Sequence, residues 1–320
     1  MNVGNIIGEN MAKPIPVWKK LILFSGVSVV VIVLLLLLTS FFLENKLKEM
    51  MVAQINSQVN VPVKVDGGIN LSLFKYFPYA SVTFKKVSIA DKIRKGSEQL
   101  LNVKEVSFLC NIFSLFGSEI EFSKMVIRGG EINLLKDKSG KSNFDIFKKT
   151  ALSNTKLAIQ LKQLQIKDIK LTYLNQPQAT NVDISFNDVL LKGNFNDKSF
   201  RLDSKGKIHV NEVVADGNMF VTSKNISAEI AMDVNRETQK YSFTKSEIAI
   251  EKTEFSIAGF LIALKNETQV NFKLLNEGKD IQQLFSLFPQ KYRNNFAGAD
   301  GSGQYVLSAA VKGAFGKSSL

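Results

Sequence analysis

The chain has little of the chemistry that most enzymes need. Its 320 residues include one cysteine and one histidine. A single cysteine excludes an intramolecular disulfide, and together with one histidine it excludes the Cys/His sites that hold zinc. Cys110 lies in line with apolar neighbours, and His209 lies on the polar side of a predicted strand. We therefore expect no enzyme, no catalytic residues, no metal and no cofactor.

Glycine-containing stretches imitate nucleotide-binding motifs without their spacing. Residues 140–142 and 316–318 read Gly-Lys-Ser, but Leu135 and Val311 stand where a phosphate-binding loop needs its first glycine. Residues 301–306 hold two glycines of a dinucleotide motif, with valine at the third position. We interpret all three stretches as turns.

The chain is basic, with 41 Lys and Arg against 29 Asp and Glu and a net charge of +12. The basic residues are spread among acidic ones, Lys outnumbers Arg, and no aromatic cluster typical of RNA-binding sheets is present. This pattern does not favour nucleic acid as a partner. A diffuse positive field suits anionic lipid headgroups, and the alternative is a merely solvated surface.

Residues 21–43 contain no charged side chain and are dominated by Val, Ile and Leu. As a helix they would span about 34 Å, enough to cross the hydrocarbon core of a bilayer. The alternative, a cleaved signal peptide, has a shorter apolar region followed by small residues, and residues 39–42 read Thr-Ser-Phe-Phe. We predict an uncleaved single-pass anchor.

Lysines predict how that anchor is oriented. Three of them precede the span (Lys13, Lys19 and Lys20), whereas Lys46 and Lys48 follow it. This bias predicts a cytoplasmic N-terminal tail over residues 1–20 and a body on the other side of the membrane.

The period of the apolar residues changes after the anchor. Residues 44–60 have an apolar stripe every four residues, which predicts an amphipathic helix ending before Pro62. From residue 61 the period is two, which predicts a mainly β body over residues 61–320, built as one long curved antiparallel sheet. Short helical stretches are predicted at residues 142–151, with Phe144 and Phe147 packed inward, and at residues 280–288.

The alternation assigns one apolar face to this sheet. We expect this face to be the concave, inward side of the curved sheet, whereas neighbouring residues such as Thr83 and Asn133 point to water. Its predicted members are Phe84, Phe108, Ile120, Phe122, Ile132, Leu134, Ile159, Phe186, Ile230 and Phe272.

Three blocks of the chain resemble AsmA-like proteins. "VPVKVDGGINLSLFKYFPYASVTFKKVSIAD" (residues 61–91) is similar to the family's first strands, with a Phe-Pro element and a strand that ends in Asp91. Residues 100–147 resemble the next block, which ends in a Gly-x-x-Asn turn, here at residues 140–143. "KDIQQLFSLFPQKYRNNFAGADGSGQYVLSAAVKG" (residues 279–313) is similar to a later segment of the long members.

The resemblance implies an inner-membrane anchor and a periplasmic body with a bent sheet that forms a long apolar groove. It also implies a relationship to TamB-type and bridge-like lipid-transfer proteins, a role in outer-membrane assembly and protein targeting, and no catalytic motif. Long members continue beyond the point where this chain stops, so we expect the β domain to be incomplete at its C-terminus.

The predicted helices outside the membrane are too few to cover so many strands, so the apolar face must close on itself, meet a partner or bind apolar molecules. We expect it to handle phospholipid between the two membranes, because acyl chains need apolar contact without hydrogen bonds. Two alternatives remain open: a non-enzymatic factor that binds outer-membrane proteins or other envelope transport components, and a purely structural β-sandwich.

Overall fold

The computed structural model describes residues 52–53, 56–57, 59–94, 96–111, 120–146, 148, 157–264, 267–288, 293 and 303–316. Residues 52–53 and 56–57 are helical, within the predicted amphipathic helix. The predicted tail and the predicted span 21–43 lie outside the described residues. Among the described residues, no helix has the length and apolar character needed to cross a membrane.

The described body is built almost entirely of strands. In chain order they are β1 (Val63–Val65), β2 (Ile69–Tyr76), β3 (Tyr79–Ala90), β4 (Gln99–Asn111), β5 (Ile120–Lys136), β6 (Leu157–Asn175), β7 (Thr180–Lys192), β8 (Ser199–Ala215), β9 (Asn218–Asn235), β10 (Lys240–Ile250), β11 (Thr253–Ala263), β12 (Glu267–Gly278) and β13 (Tyr305–Gly316). A 3-10 turn (Gln176–Gln178) follows β6, and helix α1 (Ile281–Leu287) follows β12.

All thirteen strands belong to one open sheet in the order β1-β3-β4-β5-β6-β7-β8-β9-β10-β11-β12-β13, with β2 also paired to β3. The predicted antiparallel arrangement is correct for every pair except β5 and β6, which run parallel. A parallel pair needs a crossover rather than a hairpin, and residues 137–156 supply one. The crossover separates an antiparallel meander of β1–β5 from a second meander of β6–β13.

The two edges of the sheet differ. Strands β1 and β2 share one edge of β3, and residues 66–68 interrupt that edge between them. At the other end, β13 pairs with β12 through an unbroken register from Tyr305 to Gly316. Within the described residues, the second edge of β13 pairs with no strand.

The helical predictions had different outcomes. Helix α1 falls within the predicted stretch, and the Asp280 side chain caps it by accepting a hydrogen bond from the Gln282 amide at 2.9 Å. The prediction for residues 142–151 is wrong over its described part, because residues 142–146 form a bridge and bends rather than a helical turn. Phe144 is exposed there, and Ile146 is buried in its place.

The most deeply buried large apolar side chains lie on β3–β6. The rings of Phe84 and Phe108 meet edge to face with centroids 5.9 Å apart, and Phe108 meets Phe122 in the same way at 6.2 Å. Cys110 is buried beside them, as predicted. At the opposite end of the same strands, a second cluster joins Val59, Ile89, Leu100 and Ile146.

Candidate functional site

One face of the sheet carries rows of mainly apolar residues. Directly paired residues on neighbouring strands share a face, so the register can be followed from strand to strand. One row crosses twelve strands through Leu71, Val82, Phe108, Met125, Leu164, Leu191, Ser204, Ile230, Ser246, Ile257, Leu274 and Ala309. The apolar face therefore runs from β2 to β13 on a single sheet.

The predicted face residues fall on these rows. Phe108 and Ile230 share the row just described, and Phe272 lies two residues from Leu274 of that row. Phe84, Phe186, Ile132 and Leu134 lie on the rows below it. Phe122 pairs with Cys110 and with Ile159, and Ile120 pairs with Leu157. That this face is a lipid groove stays a prediction.

The apolar side chains stay on one face because each of five adjacent strands, β3–β7, contains one residue more than strict alternation would give. Two neighbouring rows show this. The first reads Phe84, Val106, Ile127, Ile166, Val189 and Gly206, and the next reads Val87, Val103, Gly130, Ile169, Phe186 and Ile208. The members of the two rows are three residues apart on each of β3–β7 but two residues apart on β8. Lys86, Gly129 and Asp168 have positive φ values of 52°, 63° and 53° at this step. The added residue re-aims the side chains that follow it, so both halves of each strand direct their apolar residues to the same face; the register shifts, as at a bulge, where β7 meets β8.

Burial of this face decreases along the sheet. Phe84, Phe122 and Ile169 are buried, whereas Ile230 and Phe272 are only half-buried. On β10–β12, Phe243 and Phe272 each pair with Gly259, and their rings meet across it with centroids 5.3 Å apart. The later strands thus offer aromatic and aliphatic surface that the described residues do not fully cover.

The opposite face is charged where the extra residues lie. A row of cross-strand partners there reads Lys85, Glu105, Arg128, Lys167, Asp188 and Lys207. Lys167 and Asp188 form an ion pair at 3.0 Å. Partial burial raises the pKa of Asp188, but hydrogen bonds from Gln165 and Lys167 outweigh it and leave that pKa below its usual value. This row is polar, as the alternation predicted, but on β4 and β5 the same face also holds the buried side chains of Leu109 and Val126.

Two residues expected to point to water from the polar face do not lie fully in it. Thr83 was expected to point to water, yet it is buried, and its hydroxyl lies 2.8 Å from that of Ser107 on β4. Asn133 is also half-buried, because its amide donates to the Gln99 carbonyl at 3.1 Å. His209 behaves as predicted, with Nδ1 2.9 Å from Asn225 Oδ1 on this face.

Two residues that carried the family resemblance meet in space. Asp91 follows β3, and Asn143 lies in the crossover, yet Asn143 Nδ2 donates to Asp91 Oδ2 at 2.8 Å. Asn143 is completely buried, and it also donates to the Asn133 carbonyl and accepts from the Leu135 amide, both at 2.8 Å. We call this group of hydrogen bonds the Asp91–Asn143 clamp, and it ties the crossover to the first meander.

Asp91 is held ionised within this clamp. Burial of its side chain would raise the pKa of Asp91, but Arg94, Asn143 and the amides of Ile93 and Arg94 all donate to the carboxylate. The Arg94 Nε atom lies 2.8 Å from Oδ2. The pKa of Asp91 is therefore lowered, which is the result expected when donors outweigh desolvation. The arrangement is structural, because each partner is already committed.

Sequence reasoning had no signal for a further cavity on the charged face. A depression of about 400 Å³ crosses β7–β10, with Lys192, Lys205 and Lys245 set against Asp203, Glu229 and Glu247. Its charges are balanced, and Lys205 contacts Glu229. Among the described residues, no group of three or more His, Cys, Asp or Glu side chains could hold a metal ion.

Comparison with known proteins gives one match. The model of the AsmA family matches residues 17–259, which is well over half of the chain. No curated protein matches. No solved structure matches either.

Proposed function

Because the chain belongs to the AsmA family, we propose that it is a membrane-anchored envelope protein whose apolar sheet face handles phospholipid. In this proposal residues 21–43 anchor the chain in the inner membrane, residues 1–20 are cytoplasmic and the β body is periplasmic. The protein has no catalytic role and needs no cofactor. Lipid passing between the inner and outer membranes would contribute to outer-membrane assembly.

The observation that supports lipid handling best is the half-buried apolar surface of β8–β13. A core that only stabilises a domain is packed on both sides, whereas Ile230, Phe243 and Phe272 retain solvent access. The described strands form one sheet rather than the two that a sandwich requires. An acyl chain fits such a surface because it adds apolar contact and demands no hydrogen-bond partner.

Photo-crosslinking tests this proposal directly. Benzoylphenylalanine in place of Phe272 should capture phospholipid in cells, since that side chain lies on the apolar face. The same group at Lys273, one residue later on the opposite face, is the matched control. Equal lipid capture at both positions, or none at Phe272, would overturn the proposal.

Charge substitutions separate a lipid surface from a closed core. Phe122→Asp should unfold the body, because Phe122 is buried and an unpaired charge there costs several kcal/mol. Phe272→Asp should leave a cooperative thermal transition and abolish lipid capture at a second position such as Ile230. A folded Phe272→Asp variant that still captures lipid fully would contradict the proposed role of this face.

A second candidate function is supported by the edge of β13 that pairs with no other described strand. An exposed strand edge can accept an extended segment of another protein, as in strand addition to a client. An assembly factor for outer-membrane proteins would therefore co-purify with client protein and without lipid. A fusion of alkaline phosphatase after Lys64 tests the shared premise of both candidates, since it should be active only if the body is periplasmic.

A further inference from the structure

The hairpin between β2 and β3 exposes an aromatic residue at its tip. Tyr76 pairs with Tyr79, and Phe77 and Pro78 form the two-residue turn. The Phe77 side chain is 70% exposed, more than any other large apolar side chain in the described part of the chain. Leaving a phenylalanine in water forgoes the benefit of burying it, so a contact that covers it would be favourable.

The other two-residue turns of the same sheet are polar. Between β8 and β9 the turn is Asp216-Gly217, and between β10 and β11 it is Glu251-Lys252. These are ordinary choices for turns that face water. The Phe77-Pro78 turn departs from them in the same sheet, so exposure of Phe77 is not a general property of these hairpins.

The surroundings of Phe77 combine aromatic rings with a cation. Tyr79 on β3 lies beneath Lys124 of β5, whose Nζ is 3.7 Å from the ring centroid. Aromatic side chains with one apolar and one polar end, accompanied by lysine, are typical of the headgroup level of a membrane. Lysine there also attracts anionic lipids.

The tip lies where the apolar face begins. Ala80, Val82 and Phe84 follow it on β3, and Phe84 contacts Phe108, so the first apolar side chains of the face are within a few residues of Phe77. A tip immersed in the bilayer surface would bring this end of the face to the lipid.

We propose that the Phe77-Pro78 hairpin docks on a phospholipid bilayer, with Phe77 inserted among the acyl chains and Lys124 at the anionic headgroups. This inference rests on the proposed function.

Tryptophan fluorescence of the full chain tests the docking. Trp18 is the only native tryptophan. The substitution Trp18→Phe therefore removes the native tryptophan emission, so that only the tryptophan of Phe77→Trp is observed. Phe220→Trp is the matched control, because Phe220 is also well exposed at 49% but lies near the Asp216-Gly217 turn, at the opposite end of the strands. Each chain is reconstituted into vesicles of phosphatidylethanolamine and phosphatidylglycerol with brominated acyl chains.

We expect bromine to quench the Phe77→Trp protein about two-fold, because an interfacial tryptophan lies within reach of the acyl chains, and to leave the Phe220→Trp protein unquenched. Emission typical of water without quenching would overturn the docking. Blue-shifted emission without quenching would overturn it too, because it would mean a protein pocket covers the tip. Phe77→Cys labelled with bimane gives an independent readout, since Cys110 is buried.

The docking and the lipid-handling proposal can fail separately. Lipid captured at Phe272 with an unquenched tryptophan at position 77 would remove only the docking. A quenched tryptophan at position 77 with no lipid captured at Phe272 would remove only lipid handling. Equal melting temperatures of the tryptophan variants and the parent chain would verify that the fold is unchanged.

Discussion

Asn143→Ala should destabilise the protein far more than the removal of one hydrogen-bonding side chain usually does. The change deletes three hydrogen bonds of 2.8 Å, to Asp91, to the Asn133 carbonyl and to the Leu135 amide. Asp91 keeps Arg94 and two amides as donors. The Asn133 carbonyl and the Leu135 amide, in contrast, lose the side-chain partner that the buried Asn143 gave them.

The magnitude follows from those two groups. A buried polar group without a partner costs about 1–3 kcal/mol, so we expect a loss of about 3–5 kcal/mol in the free energy of unfolding. For a domain of this size each kcal/mol lowers the melting temperature by about 2–4 °C, which predicts a fall of about 10 °C. Urea denaturation and a thermal melt of the same samples measure both quantities.

Asn194→Ala is the control for this experiment. Asn194 Nδ2 donates to Asp197 Oδ2 at the same distance of 2.8 Å, but that pair is exposed. Its loss should change the free energy of unfolding by no more than about 0.5 kcal/mol, because water replaces the lost partner. If Asn143→Ala costs no more than this control, the Asp91–Asn143 clamp does not hold the crossover and our reasoning about it is wrong.

Three further outcomes are expected. Because the pKa of Asp91 is lowered, its ionised form stabilises the fold above the unfolded pKa of about 4, and this contribution disappears as pH falls through the folded pKa. Asp91→Asn should therefore reduce the decrease in the free energy of unfolding that urea titrations measure as the pH is lowered. Gly259→Ala should destabilise more than Gly217→Ala, since a Cβ at Gly259 would lie 2.1 Å from the Asn271 carbonyl oxygen, whereas one at Gly217 meets nothing within 4 Å; equal melting temperatures would refute this. Cys110 should react with a thiol reagent only on global unfolding, and rapid labelling of the native protein would contradict its burial.

Alternation of side chains predicted the strands but not their lengths. The sequence around the bulges reads apolar, two polar residues, apolar, as in Phe84-Lys85-Lys86-Val87 and Ile166-Lys167-Asp168-Ile169. A strict period of two breaks there, so alternation alone does not join the two halves of each strand. The structure shows one strand in each case, because a residue with positive φ restores the apolar side to the same face.

The candidate face was largely predictable, whereas the clamp was not. Membership of the face depends on local alternation, which a single strand reveals without knowledge of its neighbours. Asp91 and Asn143 could be noticed through a family resemblance, but their contact joins positions 52 residues apart in the chain. The exposure of the Phe77 tip could not be predicted either, because it depends on which residues pack around the turn.

The sequence by itself determined the β class of the body, its single apolar face, the absence of a disulfide and the presence of a segment long enough to cross a membrane. These properties follow from composition and short-range period, which act on each residue locally. The tertiary structure alone decided the parallel pairing of β5 and β6, the line of extra residues across β3–β7 and the burial of Asn143. Each of these depends on which distant strand becomes a neighbour, and no local pattern specifies that choice.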